Sequence, residues 1–164
     1  MKMMSKYFTK KALTTVMVLY ISIVFIQALR FKFFDSVETL HIFSTLNIWA
    51  FDTFGIEGLF LPPGIFNAYV VGISEFIASI VMLIGLFSSR KFLIPIGALM
   101  SLGIISGAIF FHLFTPLGIN VLDDGGLLFS SACGIWIMSL AIIFMNKDSL
   151  LILISKDTSI NNFE

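Results

Sequence analysis

Cysteine is almost missing from this chain. Cys133 is the only one, so no intramolecular disulfide can form, and no CxxC exists for dithiol redox chemistry. Charge is scarce as well: Asp, Glu, Lys and Arg make up 12% of 164 residues and cancel to a net charge of zero, which leaves no electrostatic case for a nucleic-acid partner. Histidine occurs twice, as His41 and His112, so a bis-histidine haem would need one ligand from the segment between the first two apolar runs. There is no P-loop or glycine-rich nucleotide fingerprint. Metal ligation by Glu75, His112 and Asp124 is conceivable chemically, but no ligand spacing argues for it. No repeat or low-complexity stretch stands out.

What the chain has instead is apolar length. It is 58% hydrophobic with a mean hydropathy of +1.02, too little polar surface to cover a soluble domain of this size. Phenylalanine occurs 19 times, which suits lipid-facing and interfacial positions. Four runs, Ala12–Leu29, Phe66–Phe87, Phe92–Phe114 and Leu127–Met145, match a hydrocarbon core of ~30 Å at ~1.5 Å per residue. Pro95 falls in the first turn of the third run, where its missing N–H does no harm. The basic Met1–Lys11 followed by Ala12–Leu29 resembles a signal peptide, but the run is longer than a usual signal core. Ile26, two before the small Ala28, also breaks an A-x-A-like site, so the first run reads as a retained helix. The expected fold is an all-α membrane protein: a four-transmembrane-helix bundle forming one integral membrane domain over 1–164, surrounded by a lipid bilayer.

Basic residues orient the spans. Lys2, Lys6, Lys10 and Lys11 precede the first; Arg90 and Lys91 join the second to the third; Lys147 and Lys156 follow the fourth. Only Arg30 and Lys32 lie on the other side, so both termini are expected in the cytoplasm. Between spans one and two, Asp35-Ser-Val-Glu38 has capping-box spacing, and Val37, Leu40, Phe43 and Leu46 follow at helical spacing. A short amphipathic outer helix over roughly 36–46, lying on the membrane surface, is predicted, then an irregular or re-entrant link over 48–65. The apolar patch LLILI beginning at Leu150 is too short to span and reads as a continuation of the last helix.

Glu75 is the only charge in Phe66–Phe87. Ionising a carboxyl in hydrocarbon costs several kcal/mol, so it must be protonated, paired or lining a polar cavity. Gly72, Glu75 and Ser79 share a helix face of small and polar residues, expected to point inward. His112 lies near the outer end of span three, on the face of Ala98, Ser101, Ile105 and Ala108. Glu75 and His112 are the candidates for proton exchange or ligand binding; Arg30, Lys32, Asp124 and Ser79 are the candidates for ligand contact. The bland alternatives are packing for Glu75, anchoring for His112, Arg30 and Lys32, and helix capping for Asp123 and Asp124. Glu75, His112, Asp124 and Arg30 are expected to border one water-accessible pocket opening outward. The GxxxG at Gly103–Gly107 is read as a packing seam within the bundle, with a homo-oligomer seam as the alternative.

Gly72-Ile-Ser-Glu75, Gly97-Ala98, Ser106-Gly107-Ala108 through His112-Leu113, Leu117-Gly118-Ile119 and Asp124-Gly125-Gly126-Leu127-Leu128-Phe129, with Arg30-Phe31-Lys32-Phe33 closing the first span, resemble the DoxX family over about Val16–Met145. The segment from Ile48 to Phe66 is longer than is usual there. The family is named for a small subunit of a membrane thiosulfate:quinone oxidoreductase. The resemblance implies a four-helix protein of a prokaryotic cytoplasmic (inner) membrane and a subunit of a redox complex, with quinone as the expected cofactor. Glu75 and His112 would then meet a quinone in an outer-leaflet pocket. A small-molecule transporter or permease, and a non-catalytic scaffold, are the competing readings.

The charge asymmetry makes a prediction. A reporter active only outside the cytoplasm, fused after Phe163, is expected to stay silent; a strong signal there overturns the four-span orientation.

Overall fold

The structure, a computed structural model, describes residues 2–150, with side chains from Thr9 onward. Five helices follow one another: α1 (Lys2–Phe33), α2 (Val37–Phe54), α3 (Ala68–Phe87), α4 (Leu93–Phe114) and α5 (Leu127–Met145). Four of them, over Thr9–Phe33, Ala68–Phe87, Leu93–Phe114 and Leu127–Met145, are long and apolar enough to cross a membrane. The protein is an integral membrane four-helix bundle, with α2 laid across one end. In hydrocarbon each backbone polar group must be satisfied within its own segment, and uninterrupted helix does that.

The ends carry their own chemistry. Asn67 caps α3 by accepting from the Val70 amide at 3.0 Å. At the opposite end of α3, the Lys91 ammonium donates to the carbonyls of Gly85 and Leu86, at 3.2 and 2.9 Å, where unpaired carbonyls and the helix dipole favour a cation.

In the bundle α1 packs on α3, α3 on α4 and α4 on α5, and α5 closes more weakly on α1. One core runs through it, with Val18, Ile21 and Phe25 of α1 meeting Met82, Ala98, Ile135 and Ile142. The close approach between α3 and α4 is made by Gly97. A Cβ there would stand 2.5 Å from Met82 Cγ and 2.8 Å from the Ala78 carbonyl oxygen. This corrects the expectation for the GxxxG: a Cβ at Gly103 or at Gly107 would meet nothing within 4 Å, so neither seats a neighbouring helix. Spacing alone does not reveal which face of a helix is turned inward.

The segment between spans one and two departs from expectation in three ways. Its helix continues through Asn47–Phe54, where an irregular link was predicted, and ends at Gly55 in a left-handed conformation, φ 69°. The N-cap is Ser36, whose hydroxyl oxygen accepts from the Thr39 amide at 3.2 Å, so the cap lies one residue later than the capping-box reading has it. Asp35 instead accepts a hydrogen bond from the Tyr69 hydroxyl of α3, at 3.0 Å. Third, α2 does not merely lie on a surface. Phe43, Leu46 and Ala50 are buried with Phe60, Ala68, Leu117 and Val121 in a second core that closes this end of the bundle. Its other face, with Val37, Leu40, Ile48 and Phe51, stays exposed and apolar, as an interfacial helix requires. The LLILI patch lies outside the described residues apart from Leu150.

The glycine geometry is testable. Gly97→Ala is expected to destabilise the bundle by about 1–3 kcal/mol through overpacking. Gly103→Ala is expected to be neutral or to stabilise by up to about 1 kcal/mol, as alanine replaces glycine in an open helix position. Unfolding in mild detergent measures both; equal effects would refute the Gly97 seam.

Candidate functional site

Glu75 is held by Lys32. The ammonium lies 2.6 Å from Oε2, with side chains only 15% and 7% exposed. It is the one salt bridge among the described residues. The local sequence explains how it forms. Lys32 sits in the last turn of α1, beside the second turn of α3. Phe33 meets Tyr69 edge to face at a centroid distance of 5.6 Å. Gly72 removes the side chain that would block the crossing: a Cβ there would stand 3.1 Å from Phe33 Cε2 and 3.4 Å from Lys32 Cδ. The lysine stem therefore passes over Gly72 to reach the carboxylate one turn below. A charge-assisted bond of this length compensates two charges that neither protein core nor lipid would hold singly.

Ser79 is fully buried on the same face, but its hydroxyl donates to the Glu75 backbone carbonyl at 2.9 Å, not to the carboxylate.

His112 belongs to a second group. Its Nδ1 lies 2.6 Å from the Gly118 carbonyl oxygen. A carbonyl only accepts, so Nδ1 carries the proton, and in the neutral ring Nε2 holds the lone pair. The ring packs edge to face on Phe129 of α5, 5.7 Å between centroids. Asp124 lies two residues before Gly126, the N-cap of α5, and its carboxylate reaches into the first turn. Its Oδ2 accepts from the Leu128 amide at 2.9 Å, and its Oδ1 from Gly126 at 2.9 Å and Val121 at 3.0 Å. The Leu128 bond above all holds its carboxyl below the ordinary carboxylate range against the opposing effect of burial. The Gly126 and Val121 bonds and the neighbouring His112 act in the same sense. Asp123, with φ 61°, accepts a long hydrogen bond from the Asn120 side-chain amide, at 3.4 Å.

Thus Lys32 and Glu75 come together, and His112 and Asp124 are neighbours, but the two groups stay apart. With Gly97 opposite Ala78–Met82, His112 comes out ~15 Å along the bundle from Glu75. Arg30 joins neither. It lines an open cavity of about 330 Å³ with Leu29, Phe33, Phe34, Ile73 and Phe76. Of the four residues expected to border one pocket, only Arg30 lines this one. Leu29 and Phe33 also face Gly72, so they form the wall between this groove and the ion pair. Among the described residues, no three His, Cys, Asp or Glu side chains gather as metal ligands.

Sequence reasoning placed Glu75 and Lys32 separately and missed their pairing. The available signal was Gly72, three before Glu75, together with a lysine one residue from the end of the first helix. The Tyr69–Asp35 bond carried no signal of its own. Compared with known protein families, curated proteins and solved structures, the chain matches none.

Removing one partner of the pair leaves a charge buried alone, so Lys32→Met is expected to cost about 3–5 kcal/mol. Lys32→Met with Glu75→Gln should recover most of that loss. A double-mutant cycle from unfolding in detergent reads the coupling; additive losses would show that the pair is solvated.

Proposed function

We propose that this chain is a DoxX-like subunit of a membrane oxidoreductase assembly, residing in a prokaryotic cytoplasmic membrane with both termini inside, and that it binds a quinone between α1 and α3 in the outer half of the bilayer. One observation carries the reading: a buried Lys32–Glu75 pair lies one side chain behind an apolar groove that opens sideways. Leu29, Phe33, Ile73 and Phe76 offer ring-sized apolar walls, and Arg30 marks the headgroup end. The volume of about 330 Å³ falls at the lower end of small-molecule sites.

The chemistry follows from the residues. Reduction of a quinone to a quinol takes two electrons and two protons. The electrons come from a partner subunit, because one cysteine and no CxxC give this chain no dithiol couple. With Phe33 displaced, the Lys32 ammonium would be the group placed to donate a hydrogen bond to a quinone carbonyl as charge develops on its oxygen. Lys32 would pass its proton to the reduced oxygen, and Glu75 would take up a proton from water and return it to the Lys32 amine across their 2.6 Å contact. The second proton of the quinol would come from water at the headgroup end of the groove. His112, ~15 Å away, fastens the Gly118 turn at the membrane surface and takes no part in that contact.

The test is saturable binding of a short-chain quinone to the purified protein in nanodiscs. Wild type should bind, and Ile73→Trp, which fills the groove, should abolish binding while leaving the helical signal intact. Lys32→Met paired with Glu75→Gln should weaken it about tenfold or more, the worth of one hydrogen bond to a charged group. Equal uptake by wild type and Ile73→Trp would mean partition into lipid, and the quinone reading would fall to the scaffold or transporter alternatives.

A further inference from the structure

Each transmembrane helix contributes one fully buried serine to the bundle interior: Ser22 of α1, Ser79 of α3, Ser101 of α4 and Ser139 of α5, all at 2% exposure or less. Neighbouring contacts fix their levels. Gly72 faces Leu29, so seven residues further into the membrane Ser79 is level with Ser22. Gly97 abuts Ala78 and Met82, which puts Ser101, one turn on, beside Glu75. Trp136 donates to the Ser106 hydroxyl at 3.0 Å, which sets Ser139 within two residues of Ser101, ~3 Å along the axis. The four serines therefore occupy a layer ~10 Å deep, with Glu75 at its upper edge.

A coincidence of small residues would be packing and nothing more, but the hydroxyls divide into two kinds. Those of Ser79 and Ser101 donate to the carbonyls of Glu75 and Gly97, at 2.9 and 3.0 Å. Those of Ser22 and Ser139 have no hydrogen-bond partner among the described residues. Both face inward, on the same helix stripes as Val18, Ile21 and Phe25 and as Ile135 and Ile142, which form the core. A hydroxyl buried in an apolar interior without a bond is costly, and the usual resolution is an internal water with two to four polar partners. This layer supplies them: donors and acceptors on Ser22 and Ser139, and free lone pairs on the Ser79 and Ser101 oxygens.

We propose that the serine layer is a water-binding site: water held in the layer bonds the Ser22 and Ser139 hydroxyls in the middle of the bundle, at and just below the level of Glu75. The site gives Glu75 a hydrated neighbour on the side away from Lys32. It rests on the bundle core and does not depend on the quinone reading.

Radiolytic hydroxyl-radical footprinting in nanodiscs tests it, because bound water generates radicals in place and marks side chains that bulk solvent cannot reach. Met82 is the reporter: it is 0% exposed and one turn from Ser79. It is expected to be oxidised in wild type. Its oxidation should fall at least threefold in Ser22→Ala/Ser139→Ala, while Met145 at the helix end is unchanged. An unmodified Met82 in wild type overturns the proposal, and so does a Met82 signal that the double variant leaves intact. The wild-type arm stands even where the variant folds poorly. Stability gives an independent sign. Removing hydrated hydroxyls should lower the Tm by a few degrees, whereas removing dry, unsatisfied ones should raise it, and a rise overturns the proposal.

Discussion

A carboxylate and an ammonium held together out of bulk solvent constrain almost everything around them. Glu75 cannot remain charged in this bundle without Lys32, and Lys32 can reach it only if α1 runs on past the usual length of a span. That extension carries Phe33 onto Tyr69 and brings the chain to Asp35, where the Tyr69 hydroxyl ties the turn. α2 starts from that turn. The position of the helix that closes the bundle is thus set by a lysine stem crossing a glycine. Apolar packing alone would not choose this register, because one aliphatic surface slides over another at small cost, whereas a buried ion pair has one satisfactory alignment.

The α4–α5 half is organised differently. No ion pair links these helices among the described residues. Their connection is held by directional bonds at the surface: His112 to Gly118, and the Asp124 carboxylate to three backbone amides. These bonds satisfy donors that the loop and the first turn of α5 would otherwise leave unpaired. Deeper down, Gly97 seats α4 on α3, and Trp136 reaches Ser106 across to α4. One side of the molecule is thus registered by charge and the other by shape and loop geometry, and the serine layer lies where the two meet.

Much of this architecture was legible in the sequence, for physical reasons. A span must be continuous and apolar, so hydropathy delimited α3, α4 and α5 to within two residues, with α3 beginning at Ala68 because Asn67 caps it. By contrast, α1 runs from Lys2 to Phe33, well beyond the expected Ala12–Leu29 at both ends. An isolated Glu in such a run needs compensation, which singled out Glu75. The partner was harder to see: pairing Lys32 with Glu75 depends on helix register across 43 positions, which no local pattern encodes. The stretch Asn47–Phe54 was misread because its aromatics and the glycines and Pro62-Pro63 that follow suggest an irregular link, although the stripe Phe43, Leu46, Ala50 continues at helical spacing. The GxxxG failed for the opposite reason: the motif was genuine as a pattern, but no neighbouring atom comes within 4 Å of where a Cβ at Gly103 or Gly107 would stand.

The two apolar faces of α2 carry a mechanical consequence. One face is bound to the bundle end through Phe43, Leu46 and Ala50, while the other presents Val37, Leu40, Ile48 and Phe51 outward. A helix greasy on both sides behaves like a float: it settles where acyl chains give way to headgroups, and it holds that depth against displacement. Because it follows directly on the turn that Tyr69 fastens, its buoyancy fixes how far Lys32 sits below the surface. Thinning or thickening of the surrounding lipid would then be felt first as tension on that turn, at the charged end of α1, before the bundle core yields at all.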